Sequence, residues 1–172
     1  MNKSKFPIFI SGDRIFSNSA KAFSIQDSKD LGEKSESKIT YSEFEAFYLF
    51  ETNQAEIIKS NKELKEEQII REFSKKDKQF TIKYQVFKAL RKKSYIVKTA
   101  SKFGSDFRVY DPKLTTSHAK WLVYAVKQSE KANWNELIAK TRVSHSTAKK
   151  LLLAIVDKQD NVLFYEIDWL KM

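Results

Sequence analysis

A chain of 172 residues, 41% hydrophobic and 13% aromatic, with 13 Phe but only 3 Gly and 2 Pro, has the composition of one ordinary folded domain or two small ones. It contains no Cys and 2 His, which excludes disulfides, thiol catalysis and Cys-ligated zinc, argues against a His-rich metal site, and fits an intracellular protein. The net charge of +10 is unevenly spread: residues 1–80 carry 14 basic and 14 acidic side chains, and residues 81–172 carry the other 18 and 8. Positive charge confined to one half points to a polyanionic partner, with nucleic acid ahead of an anionic membrane surface or a merely basic face.

The longest purely apolar run, residues 151–156, is far short of the roughly 20 residues of a spanning helix. The opening MNKSKFPIFISGDR has too short an apolar stretch for a signal peptide. The sequence therefore predicts a soluble, cytoplasmic protein that does not engage a membrane.

In chain order, the first 30 residues read as short strands at 6–10, 15–16 and 22–25, with a turn at SGDR, followed by the polar loop DSKDLGEKSESK. Thr40 and Glu43 stand in capping-box spacing ahead of a helix whose apolar face is Phe44, Phe47, Tyr48 and Leu49. Ser60 and Glu63 repeat that spacing before the amphipathic LKEEQIIREFSKK, whose Lys/Glu alternation reads as a solvated face. A third helix, FTIKYQVFKALRKKS, carries Tyr84, Val86, Phe87 and Leu90 on one side and ends in Arg91, Lys92 and Lys93, which complement its dipole. A domain boundary is expected near residue 80, giving domains 1–80 and 81–172.

Beyond it, SYIVKTA, SDFRVY and KWLVYAVK have the β-branched and aromatic content of strands. Asn133 with Glu136 caps a helix through WNELIAKTRVSHSTA, KKLLLAIVD reads as a central strand covered on both faces, and a turn at KQDN returns the chain as VLFYEIDWL. The second half is thus a mixed sheet with helices against it.

The stretch DFRVYDPKLTTSHAK sets Tyr110 and the scarce His118 at the two ends of one polar loop. Lys149 and Lys150 stand where a helix hands over to a buried strand. Three reactive types therefore fall at strand termini in the basic half. By spacing alone, a surface loop and a snorkelling lysine pair are the favoured readings.

Taken together and in order, SYIVKTASKFGSDFRVYDP, SHAKWLVYAV, RVSHSTAKKLLLAIVD and VLFYEIDW resemble the catalytic domain of the archaeal-type tRNA-splicing endonucleases, and YSEFEAFYLFE resembles the matching segment of that family's N-terminal domain. The resemblance is good over about residues 40–172 and loose before that. It implies an α/β fold of two small mixed domains, the C-terminal one a mixed β-sheet flanked by helices. It also implies a metal-independent, cofactor-free endonuclease that cuts precursor tRNA at a bulge–helix–bulge to give 2′,3′-cyclic phosphate and 5′-OH ends.

Carried over by position, the resemblance implies Tyr110 as general base, His118 as general acid and Lys149 as the cation at the phosphate. It further implies that Arg142 binds substrate by stacking on a flipped bulge base. These residue types suit the chemistry. An imidazole with a pKa of about 6.5 is protonated often enough to donate to a leaving alkoxide, and an ammonium stabilises developing phosphoryl charge. A phenol, with a pKa of about 10, is a weak base unless cations lower it.

His145 reads as a packing or hydrogen-bonding residue, and Trp121 and Trp169 as core or interface. The family's tetrameric assembly implies either a homotetramer or a heterotetramer with a non-catalytic paralogue. The loop QSEKAN, with one acid, Glu130, is a weak version of the acidic contact loop of homotetrameric members. Two rival readings are a non-catalytic RNA-binding or structural subunit, which would not need all three reactive residues, and a metal nuclease built on Asp106, which no E-x-K follows.

Overall fold

The computed structural model describes residues 5–113, 118–170 and 172. The chain divides into two compact units, Met1–Phe80 and Thr81–Met172.

In the first unit β1 (Phe6–Ser11) and β2 (Arg14–Ser17) form a hairpin, α1 (Ala20–Lys29) follows, and β3 (Glu33–Lys34) and β4 (Ile39–Thr40) precede α2 (Glu43–Glu51). Then come β5 (Ala55–Lys59), β6 (Lys62–Glu63) and α3 (Glu66–Ser74). The strands join in the order β3-β4-β2-β1-β5-β6, with β1 and β5 parallel. Period-2 alternation buries Phe6, Ile8 and Ile10 of β1 beside Ala55 and Ile57 of β5. Phe80 closes this core, its ring 5.3 Å from Phe44, 5.6 Å from Phe47 and 5.4 Å from Phe73.

Three sequence expectations are corrected here. Residues 22–25 are helical: Ser19 accepts from the Lys21 N–H, and Ala22 and Ile25, one turn apart, are the buried pair of α1. The cap of α2 is Ser42 with Glu45, two residues later than expected. Glu45 is buried because its carboxylate accepts from Ser42 N and Oγ and from the Gly32 N–H. Gly32 has φ +88, and a Cβ there would meet Ile39 at 2.3 Å, so this approach requires glycine. Lastly, Ser60 and Asn61, with φ 50 and 61, make the turn between β5 and β6 rather than a helix cap. The helix begins only at Glu66, where Lys65 N donates to Gln68 Oε1.

The second unit starts within α4 (Phe80–Lys92), whose Tyr84, Val86, Phe87 and Leu90 are all buried. Strands β7 (Ile96–Thr99), β8 (Phe107–Tyr110) and β9 (Trp121–Lys127) run antiparallel in turn. Helix α5 (Trp134–Ser146) then crosses to β10 (Lys150–Val156), parallel to β9, and β11 (Val162–Ile167) returns as a hairpin. The order is β11-β10-β9-β8-β7, so β9 is the central strand and β10 lies one in from the edge. Leu151, Leu152, Ala154 and Val156 of β10 are buried, while Leu153 and Ile155 are only half-buried. Its expected complete cover is therefore partial on one face. The α/β class of two small mixed units, the second a mixed sheet with helices, is the observed architecture. Among the described residues no helix is long and apolar enough to cross a membrane.

Candidate active site

Topology brings the reactive side chains to one end of the second sheet. Because β8 is antiparallel to β9, its last residue, Tyr110, lies at the end where β9 begins. Because β10 is parallel to β9, it starts at that same end. Hydrogen bonds join the three strands there: Lys120 N donates to Val109 O at 2.8 Å, and Lys150 N donates to Lys120 O at 3.1 Å. His118 lies just before β9 and Lys149 just before β10.

Lys149 is presented by identifiable local chemistry. Helix α5 starts where the Asn133 side chain accepts from the Glu136 N–H, as its sequence spacing predicts. Two residues past its end, the left-handed Ala148 (φ 54) lets Lys149 N return to Ser144 O at 2.8 Å before the chain extends into β10. The Lys149 ammonium donates to Thr147 O at 2.8 Å and sits 5.6 Å from the Phe103 ring centroid. No carboxylate of the described residues holds it, which leaves its charge available to an anion. Phe103 belongs to a 3-10 turn, Ser101–Phe103, and Lys140 of α5 fixes that turn by donating to Gly104 O at 2.8 Å.

His118 and Lys149 line one open cavity of about 650 Å³, with Lys120, His145, Lys150, Asp168 and Trp169 among its other walls. The cavity is strongly basic, with Asp168 its single acid. Tyr110 is half-buried and is not part of the lining. Arg142 is exposed on α5 and lines a neighbouring cavity of about 330 Å³, which shares Asp168 and Trp169 with the first. Residues 114–117, within the loop from Tyr110 to His118, lie outside the described residues.

His145, expected to pack or hydrogen-bond, does pack: its ring stands edge-on to Trp169, centroids 5.0 Å apart. It is nonetheless exposed and faces the cavity of His118. The signal was available, since Arg142 and His145 are three apart, hence on one helix face. Trp169 is half exposed, unlike Trp121, which is buried. Asp106 of the metal-nuclease reading is occupied structurally, its carboxylate pairing with Lys83 at 2.9 Å and accepting from Ala125 N at 2.8 Å. Tyr124, beside it, has its phenol pushed upward by burial first and then by a hydrogen bond to Glu136.

Comparison with known proteins gives this arrangement a family. The tRNA intron endonuclease catalytic C-terminal domain matches residues 80–164. The tRNA-splicing endonuclease of Pyrococcus abyssi is 38% identical over 170 residues, covering 98% of this chain and 99% of the relative. That of Thermococcus onnurineus is 39% identical over 163 residues, covering 94% and 95%. That of Nanoarchaeum equitans is 41% identical over 135 residues, covering 74% and 86%. With likeness of this extent spanning both units, the chain belongs to the tRNA-splicing endonuclease family.

Proposed function

We propose that this protein is a catalytic subunit of a tRNA-splicing endonuclease, cutting precursor tRNA at intron boundaries presented as a bulge–helix–bulge. The observation that carries the reading is the shared cavity of His118 and Lys149, at the sheet end where Tyr110 finishes β8. In the proposed reaction Tyr110 takes the proton of the ribose 2′-OH, and that oxygen attacks the adjacent phosphorus. The bond to the 5′-oxygen breaks, and His118 supplies the proton that makes it a 5′-OH. The Lys149 ammonium offsets charge growing on the non-bridging oxygens. The products are a 2′,3′-cyclic phosphate and a 5′-OH, with the substrate supplying its own nucleophile and no metal required for that step.

Arg142, exposed in the adjoining cavity, would stack on an unpaired bulge base, the kind of recognition that suits splayed RNA. Assembly into a tetramer, of one chain or with a non-catalytic paralogue, is supported by the edge strand β11. There Leu163 and Tyr165 remain 54% and 52% exposed.

The test is a precursor tRNA with one 2′-deoxy nucleotide at the cleavage site. Cutting there should stop while binding survives, and the unmodified RNA should be cut in excess EDTA after prefolding. Efficient cutting of the deoxy substrate would overturn the mechanism. Tight binding without any cutting of the natural substrate by the complete assembly would make the chain a non-catalytic subunit.

A further inference from the structure

Glu166 belongs to β11 and is not among the residues lining the cavity of His118 and Lys149. Its Oε2 accepts the indole N–H of Trp121 at 2.7 Å, and its Oε1 accepts the ammonium of Lys150 at 2.6 Å. Trp121 is the first residue of β9, Lys150 is the first of β10, and the two are register partners in the parallel pair. His118 lies three residues before Trp121, and Lys149 one residue before Lys150. One carboxylate therefore ties together the two strand starts that present the acid and the cation.

The surroundings make this tie directional. Trp121 is only 7% exposed, and Tyr95 meets its ring edge-on at 5.4 Å. The Lys120 ammonium lies 4.1 Å from the Trp121 ring centroid and 3.9 Å from Asp111. The indole is thus held in place with its N–H aimed at Glu166. Lys150 has Asp168 as a more distant second partner, at 3.9 Å. Lys150 also lines the cavity next to Lys149. Pairing with Glu166 occupies the Lys150 ammonium in a charge-assisted hydrogen bond, whereas that of Lys149 donates to a main-chain carbonyl.

We infer that Glu166 is a positioning residue for RNA cleavage, holding the starts of β9 and β10 so that His118 and Lys149 meet the same phosphate. The inference rests on the roles given above to those two residues. Placement errors of about 1 Å can slow an enzyme by about 100-fold, so a tie at this point has leverage on rate while touching no substrate.

The experiment is single-turnover cleavage of an intron-containing precursor tRNA by the full chain, over a range of enzyme concentration. Glu166→Ala should lower the saturated rate by about tenfold, with less than about a twofold change in the half-saturating concentration. Glu166→Gln, which keeps one good acceptor, should recover part of the rate. The loss caused by Glu166→Ala should shrink in a His118→Ala background, where no acid remains to be misplaced; a change that only reduced the folded fraction would give the same fold-loss in both backgrounds. Trp121→Phe keeps an aromatic, though smaller, ring and removes the N–H donor, so it should lower the rate in the same direction; measured in both backgrounds, it decides the matter if Glu166→Ala does not fold. Wild-type rates in these variants, or equal losses in both backgrounds, would overturn the role of Glu166. A fully active His118→Ala enzyme would instead remove the acid assignment beneath it.

Discussion

The main-chain N–H of Lys150 donates to the carbonyl of Lys120 across 3.1 Å, and this contact makes two loops far apart in sequence into one site. It is the first rung of a parallel ladder, so it exists only because α5 carries the chain back to restart β10 beside the beginning of β9. Any residue just before either strand then reaches the same end of the sheet. His118 and Lys149 occupy those two places.

If they act as acid and cation, removing either side chain should be costly. His118→Ala and Lys149→Ala should each slow single-turnover cleavage by at least about 100-fold, the scale of an acid–base or electrostatic contribution, with RNA binding retained. Tyr110→Phe should be slower too, by a smaller factor, since water can partly replace a weak base. Gel-shift and cleavage assays on the same preparations separate the two effects. Near-wild-type cutting by His118→Ala would end its assignment.

The left-handed turn before Lys149 gives a stability prediction. A non-glycine residue in this region costs roughly 1–2 kcal/mol, and glycine's extra freedom in the unfolded chain returns about 0.4–1 kcal/mol of that. Ala148, with φ 54, should therefore gain about 0.5–1 kcal/mol on replacement by Gly. Ala148→Val should lose stability, because branching at Cβ worsens the same clash. Chemical denaturation midpoints check both signs, and a destabilised Ala148→Gly would show that the Ala148 methyl contributes packing that outweighs the strain.

How much of this was legible beforehand follows the range of the interactions. The second unit was readable because its signals are local: Asn133 and Glu136 cap α5, and the strands carry their aromatic and β-branched residues. β5 carries little local signal, because Ala55–Lys59 is a short segment whose partner, β1, lies about fifty residues earlier. Residues 22–25 of α1 read as a strand in sequence because only Ala22 and Ile25 of its ten residues are buried, too few to reveal a 3.6-residue period. The motif residues of the site were visible as residue types. That Asp168 and Trp169 wall two adjoining cavities was not, because it depends on where the chain goes after β11.

The loop after β9 carries a prediction about assembly. Glu130 is exposed at the turn closed by its N–H to Lys127 O at 2.9 Å. It stands among Lys127 and Lys131, so its charge is locally outnumbered. If the protein forms the proposed tetramer and this loop enters a basic cleft of a neighbouring subunit, Glu130→Lys should shift that assembly towards smaller species, most clearly at high dilution. Sedimentation velocity over a concentration series measures this. An unchanged assembly would make Glu130 a surface acid with no part in the contact.

The last prediction concerns acid. The Lys150 ammonium, and after it the Trp121 indole N–H, hold the Glu166 carboxyl below the usual carboxylate range. The folded state thus binds this proton less readily than the unfolded chain does. The stabilisation is fully present above the unfolded value of about 4.3 and is lost as pH falls through the lowered folded value. Glu166→Gln cannot titrate, so it should melt below the wild type at pH 7. That gap should narrow steadily once the pH drops under about 4.3. Taking the difference between the two proteins cancels the titration of the other carboxylates they share. Both groups of the pair are partly exposed, so the gap should also shrink as salt screens them. Melting temperatures across pH and salt provide the check. A gap of constant size from neutral to acid pH would mean that Glu166 contributes through shape or hydrogen bonding alone, and that its charge is not what joins β11 to the starts of β9 and β10.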